Sequence, residues 1–143
     1  MVRTAKAVWH GTGKDGSGTL DTQSGVLHSH PYSFRTRFED EEGRAGTNPE
    51  ELIAAAHAGC FTMQLSFLLS NAGFTPTELA TQAAITLGPV DGKQTISKIA
   101  LSLDAKVPNI SNADFQKIAA EAKASCPVSR LLNAEITLEA KLG

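Results

Sequence analysis

The chain has 143 residues, of which 41% are hydrophobic and 20% are charged, and its formal net charge is −2. This length and composition predict one globular domain over residues 1–143. Because the sequence pI is about 6.1, no basic surface indicates a nucleic-acid or anionic membrane partner. No uninterrupted apolar run approaches the roughly 20 residues that span a bilayer, and the first residues lack the apolar core of a signal peptide. We therefore expect a cytoplasmic protein with no membrane or nucleic-acid partner.

The N-terminal region is predicted to begin with two short strands, over residues 5–8 and 18–22. The four glycines in the segment 11–18 between them resemble a phosphate-binding loop. Such a loop requires a helix directly after it, whereas residues 19–22 are typical of a strand. We interpret the glycines as hairpin turns and not as a nucleotide site.

A third strand is predicted over residues 32–39. Phe34, Thr36 and Phe38 alternate there with polar residues at the strand period. This alternation places Arg35 and Arg37 on one face of the strand. The charged segment 40–46 that follows is interpreted as a solvated loop.

The histidines do not predict a metal site. His28 and His30 share a strand face, while His10 and His57 stand apart. The usual ligand spacings are absent, and no two cysteines lie close in sequence to supply thiolates. We expect neither a metal nor another bound cofactor.

A long helix is predicted from Pro49 to about Asn71. Asn48 is a suitable N-cap, Pro49 suits the first helical position, and acidic residues follow where the helix dipole favours negative charge. Gly73 provides a stop signal. The helix is apolar nearly all round, so one sheet cannot cover it and a second copy of the chain would supply the missing layer.

The second half of the chain predicts strands over residues 81–87, 95–107 and 134–142. A helix is predicted from Asn112 to about Ser125, followed by a short helix that begins with Pro127. The order of strands, long helix, strands, helix and strand indicates an α+β fold.

Two cysteines, Cys60 and Cys126, are the candidate reactive groups. They are either ordinary core thiols or a reactive thiol with its resolving partner, and composition alone favours the former. A reactive thiol needs a lowered pKa, and Cys60 lies too far along its helix to benefit from the dipole. It would need a cation such as an arginine, which in turn needs a carboxylate to orient it.

Glu50 is the carboxylate suggested by position, but it cannot contact Cys60 directly. The two residues are ten positions apart, which is about 15 Å along a regular helix. A long arginine, or a second copy of the helix, would have to connect them.

Several segments together resemble the OsmC/Ohr family of thiol-dependent peroxidases, with the osmotically inducible OsmC branch the most similar. The resemblance covers essentially the whole chain and is carried by residues 32–38, 47–52, 55–61, 72–76 and 124–129. It implies an intertwined homodimer in which antiparallel β-sheets wrap around long central helices. It also implies two active sites at the subunit interface, where organic hydroperoxides are reduced.

The resemblance assigns roles to four residues. Cys60 matches the peroxidatic cysteine, Cys126 the resolving cysteine, Arg37 the arginine that contacts the thiolate, and Glu50 the carboxylate that pairs with that arginine. The implied cycle passes through a Cys60 sulfenic acid and a Cys60–Cys126 disulfide. An external dithiol, such as a lipoylated protein or a small dithiol, would restore both thiols without a bound cofactor.

Two alternatives remain open at this point. In the first, the chain is not a peroxidase but a non-enzymatic stress or binding protein with a redox-switched structural disulfide. In the second, it is an enzyme of another kind, a disulfide reductase. The second alternative is disfavoured because no Cys-x-x-Cys pair is present.

Overall fold

A computed structural model describes all residues, 1–143. The chain is of the α+β class, with two three-stranded sheets and two compact units, Met1–Leu52 and Ile53–Gly143. The elements in chain order are β1 Ala5–His10, β2 Ser17–Thr22, β3 His30–Ser33, α1 Phe34–Phe38, α2 Pro49–Asn71, β4 Glu78–Val90, β5 Lys93–Lys106, α3 Asn112–Ser125, α4 Pro127–Leu131 and β6 Glu135–Leu142. The single domain remains a prediction.

The first unit contains an antiparallel sheet in the order β1-β2-β3. The glycine-rich segment joins β1 to β2 as a turn, as the sequence predicts, and Gly11 adopts a positive φ of 87° there. Trp9 and Tyr32 pack together on this sheet with ring centroids 5.2 Å apart.

The predicted strand over residues 32–39 is wrong beyond Ser33, because residues 34–38 form the short helix α1. Ser33 caps this helix: its hydroxyl accepts from the Thr36 amide, and the Thr36 hydroxyl accepts from the Ser33 amide. Phe34 and Phe38 pack at 4.9 Å because four residues are one helical turn. The two arginines therefore lie on α1 and not on one strand face, since positions two apart on a helix point in different directions.

The second unit contains the sheet β4-β5-β6. Strands β4 and β5 form a long antiparallel hairpin around Asp91 and Gly92, which both have positive φ. Strand β6 pairs with β5 in parallel, so the prediction of purely antiparallel sheets is wrong for this unit. The reason is that α3 carries the chain back before β6 begins, which returns the strand in the same direction.

The core of the second unit lies on one face of this sheet. The alternation predicted in β5 is confirmed, because its odd-numbered apolar residues are buried while Ser102 and Asp104 are exposed. The buried core comprises Phe61, Leu65, Leu69, Leu101, Leu103, Ala105, Val107, Phe115, Ala119, Ala122 and Cys126.

Helix α2 begins and ends as the sequence predicts. The Asn48 side chain accepts a hydrogen bond from the Glu51 amide at 2.8 Å, and Gly73 ends the helix at a φ of 87°. One face is buried, but Met63 and Phe67 are 63% and 61% exposed. By length and composition alone α2 could cross a membrane, a test that the core helix of a soluble protein also passes.

Candidate active site

Arg37 and Glu50 form a bidentate ion pair in the first unit. Arg37 Nε donates to Glu50 Oε2 at 3.2 Å and Arg37 Nη2 donates to Oε1 at 2.6 Å. Helix α1 supplies the arginine, and the first turn of α2 supplies the carboxylate. Arg37 is 37% exposed and Glu50 only 13%, so Glu50 fixes a guanidinium that still faces solvent. Arg35, the other candidate, forms no ion pair.

An apolar cleft adjoins Arg37. Its volume is about 100 Å³, and the Arg37 guanidinium lies 4.9 Å from the centre of the Phe38 ring, a cation–π distance. The cleft is lined by Trp9, Gly13, Tyr32, Ser33, Phe34, Arg37, Phe38 and Pro49. A cation at the edge of an aromatic cleft can bind a small molecule that has one polar end and one apolar end.

Cys60 and Cys126 lie next to each other in the second unit. Their sulfur atoms are 3.1 Å apart, and both are free thiols, with Cys60 half-buried and Cys126 buried. Cys60 lies on α2, while Cys126 connects α3 to α4 and is the N-cap residue of α4. A disulfide bond of about 2.05 Å would require the sulfur atoms to approach by only about 1 Å.

The two thiols differ in acidity. Burial raises the pKa of Cys60, its hydrogen bond with Cys126 raises this pKa further, and the Val128 backbone lowers it by less. Burial also raises the pKa of Cys126, but hydrogen bonding with Cys60 and with the Ser129 backbone and hydroxyl outweighs burial and lowers that pKa overall. Within Ile53–Gly143, a shared negative charge is therefore held more easily on Cys126 than on Cys60.

Sequence reasoning missed two residues beside this pair, His57 and Ser129. His57 is fully buried, and its Nε2 lies 2.7 Å from Ser129 Oγ. A signal for His57 existed, because it is a polar residue in an apolar run one helical turn before Cys60. Ser129 had a weaker signal, its position three residues after the N-cap cysteine.

The structure thus brings the four predicted residues together as two pairs, Arg37 with Glu50 and Cys60 with Cys126. The first pair belongs to Met1–Leu52 and the second to Ile53–Gly143. No group of three or more His, Cys, Asp or Glu side chains is arranged to hold a metal ion.

Comparison with known proteins identifies similar chains. Residues 40–141 match the family model described as OsmC-like protein. The chain is 52% identical to peroxiredoxin OsmC of Escherichia coli, over 98% of this chain and 96% of that protein. It is 29% identical to an organic hydroperoxide resistance protein of Xanthomonas axonopodis pv. citri, over 67% of this chain and 68% of that one.

Solved structures share the fold. The organic hydroperoxide resistance protein OhrB of Bacillus subtilis superposes with a TM-score of 0.71 at 25% identity, covering 96% of this chain and 98% of OhrB. An OsmC-like protein of Vibrio cholerae superposes with a TM-score of 0.79 at 16% identity, covering 99% of both chains. The mixed α+β architecture is therefore that of the OsmC and Ohr structures.

Proposed function

Since this chain belongs to the OsmC family, we propose that it is a cysteine-based peroxidase that reduces organic hydroperoxides, and hydrogen peroxide less efficiently. The names of its relatives, peroxiredoxin OsmC and organic hydroperoxide resistance protein, support a peroxidase-type role. The proposed physiological role is defence against oxidative and osmotic stress.

The observation that carries the proposal is the 3.1 Å separation of the Cys60 and Cys126 sulfur atoms. In the proposed reaction, the Cys60 thiolate attacks the distal peroxide oxygen, the O–O bond breaks, and the alkoxide takes a proton to leave as an alcohol. Cys60 is then a sulfenic acid. The Cys126 thiolate attacks the Cys60 sulfur, the S–O bond breaks, and water leaves as the disulfide forms.

Arg37 is the cation that we assign to Cys60. Burial and Cys126 raise the pKa of Cys60, so a reactive thiolate at this position needs a positive charge beside it. Glu50 would hold Arg37 in one orientation through the two hydrogen bonds described above. Arg37 and Glu50 then act as one unit, in which the carboxylate orients the guanidinium and the guanidinium stabilises the thiolate.

A homodimer is the proposed working form. Helix α2 leaves Met63 and Phe67 largely exposed, and these residues are four positions apart on one helical face. Exposed apolar side chains on a long apolar helix favour burial against a partner. A second copy of α2 would provide that partner and would allow the two subunits to intertwine.

The apolar cleft beside Arg37 suits the organic part of a hydroperoxide, while the peroxide group would face the guanidinium. The reductant is proposed to be an external dithiol, such as a lipoylated protein or a small dithiol, that exchanges with the Cys60–Cys126 disulfide. No bound cofactor enters this cycle. A reducing compartment such as the cytoplasm would supply this dithiol.

The test is consumption of cumene hydroperoxide by the protein with a dithiol reductant. The Cys60→Ser variant should have no activity above the uncatalysed rate. The Cys126→Ser variant should react once with peroxide and accumulate a sulfenic acid. A wild-type protein that forms the disulfide without turnover would instead be a non-enzymatic protein with a redox-switched disulfide. Full activity of Cys60→Ser would show that another group reacts with the peroxide.

A further inference from the structure

A series of polar groups leads from the buried His57 through the half-buried Ser129 to Cys126. His57 Nε2 lies 2.7 Å from Ser129 Oγ. Ser129 is the third residue of α4, whose N-cap residue is Cys126, and its backbone and hydroxyl lower the pKa of Cys126. Cys126 Sγ is 3.1 Å from Cys60 Sγ, so the series runs from an imidazole to the reacting sulfur atoms.

We propose that His57 and Ser129 form a donor chain that holds Cys126 as the thiolate that attacks oxidised Cys60. In this chain His57 Nε2–H donates to Ser129 Oγ, and the Ser129 hydroxyl donates to Cys126 Sγ. Ser129 contacts the reacting sulfur, whereas His57 is a positioning residue that acts through Ser129. The inference rests on the proposed peroxidase cycle and adds two residues to its second step.

The number of hydrogens that each group can donate determines the direction of the donor chain. A hydroxyl has one hydrogen to donate, and a thiolate can only accept. If Ser129 donates to Cys126, its oxygen must receive its other hydrogen bond from His57. The proton of the neutral imidazole then lies on Nε2.

Burial supports the same tautomer. His57 is fully buried, and its Nδ1 has no hydrogen-bond partner. Burial also lowers the pKa of His57, which keeps the ring neutral with a single N–H. Placing that hydrogen on Nδ1 would bury an unpaired donor, which is rare in proteins, whereas placing it on Nε2 pairs it with Ser129.

The donor chain acts in the second step of the cycle, the formation of the disulfide. When Cys126 attacks the sulfenic acid, the S–S bond forms as the S–O bond breaks, and the hydroxide takes the proton that Cys126 had released and leaves as water. The step requires Cys126 as a thiolate, because the thiolate is the nucleophile. The groups that shift the pKa of Cys126 are Cys60 from α2 and Val128 and Ser129 from α4. Cys60 is the only one of them that titrates.

The first experiment measures the pKa of Cys126 directly. In a Cys60→Ser background Cys126 is the only cysteine, so the pH dependence of its alkylation rate reports its pKa. Ser129→Ala and His57→Leu should each raise this pKa by about one unit. His57→Gln, which keeps a donor at the Nε2 position, should restore it, as should Ser129→Thr.

A matched control is Ser125→Ala. Ser125 is the residue directly before Cys126, but its hydroxyl hydrogen-bonds to Gln64 and Glu121 instead. This variant should leave the pKa of Cys126 unchanged. If Ser129→Ala and Ser125→Ala behaved alike, the donor chain would be wrong. Ser129→Ala and Ser129→Thr also decide the question if His57→Leu fails to fold.

The second experiment separates the two chemical steps in the protein with both cysteines. Ser129→Ala should form the disulfide about tenfold more slowly, in line with a rise of about one unit in the pKa of Cys126, and dimedone should trap the accumulated sulfenic acid. The first reaction with peroxide should not become slower, because a higher Cys126 pKa leaves less negative charge on Cys126 to oppose the Cys60 thiolate. Unchanged disulfide formation together with an unchanged Cys126 pKa would overturn the inference. Absence of peroxide turnover in the wild type would refute the proposed function, and the pKa measurement would then decide the donor chain by itself.

Discussion

The exposed face of α2 offers a quantitative test of the dimer. Phe67 is 61% exposed in the single chain, and burying an aromatic residue removes about 200 Å² from water. About 120 Å² therefore remains to be buried in each copy, worth about 3 kcal/mol at 25 cal/mol per Å². A two-fold dimer contains the contact twice, so the upper limit is about 6 kcal/mol.

The perturbation is Phe67→Lys, with Phe67→Ala as a milder variant. Each 1.4 kcal/mol changes a dissociation constant tenfold, so Phe67→Lys should weaken the dimer by up to about ten-thousandfold. The assay measures the mass in solution by light scattering over a dilution series, and circular dichroism follows folding. Phe67→Ala should shift the monomer–dimer midpoint in the same direction by a smaller factor.

The control is Val90→Lys. Val90 is an exposed apolar residue at the tip of the β4–β5 hairpin. This substitution should leave the dimer intact. A Phe67→Lys protein that remains dimeric with the wild-type midpoint would refute the burial argument, as would a wild-type protein that is a stable folded monomer.

Two further predictions concern charge. Arg37→Ala should raise the pKa of Cys60 and slow its reaction with peroxide by at least about tenfold. Arg35→Ala, which removes no ion pair, should leave both the pKa and the rate nearly unchanged. Thiol alkylation measures the pKa and stopped-flow kinetics the rate, and the opposite pattern would exchange the roles of the two arginines. Burial lowers the pKa of His57 from its ordinary value of 6.5, so below pH 6.5 the unfolded chain binds more protons than the folded one and stability falls as the pH falls. His57→Gln should flatten this dependence in urea unfolding between about pH 7 and 5.5, and an equally steep dependence in the variant would contradict the assignment.

The part of the fold that sequence predicts best is Ile53–Gly143, because each element there has one clear period. Strand β5 alternates strictly, and α3 has a clear N-cap in Ser111. The parallel pairing of β6 was missed because alternation identifies a half-buried strand and says nothing about its direction. The intervening helix α3 was the available clue, since a strand that follows a helical crossover commonly returns in parallel.

Helix α1 was missed for a different reason. Phe34 and Phe38 are four residues apart, a spacing that fits both a strand face and one helical turn. The reciprocal hydrogen bonds of Ser33 and Thr36 select the helix. A Ser-x-x-Thr pair is a weak capping signal, because the usual partner three residues later is Glu or Gln.

The cysteine pair shows where sequence reasoning needed the family resemblance. Cys60 and Cys126 are 66 positions apart, and no periodicity within either element indicates that α2 and the α3–α4 junction meet. Spatial proximity of this kind depends on tertiary packing. His57 was visible as a polar residue in an apolar helix. Its partner Ser129 lies in another element, so the sequence does not show that the two side chains meet.

The difference between the two thiols also predicts how the disulfide is reduced. An attacking thiolate prefers the accessible sulfur and expels the thiol of lower pKa more rapidly. Cys60 is half-buried whereas Cys126 is buried, and hydrogen bonding to Ser129 and Cys60 lowers the pKa of Cys126. Both effects direct the reductant to Cys60 and make Cys126 the leaving group. Oxidised protein treated with a monothiol should therefore form a mixed disulfide on Cys60, which peptide mass spectrometry would detect, and adducts mainly on Cys126 would contradict this order of acidity and access.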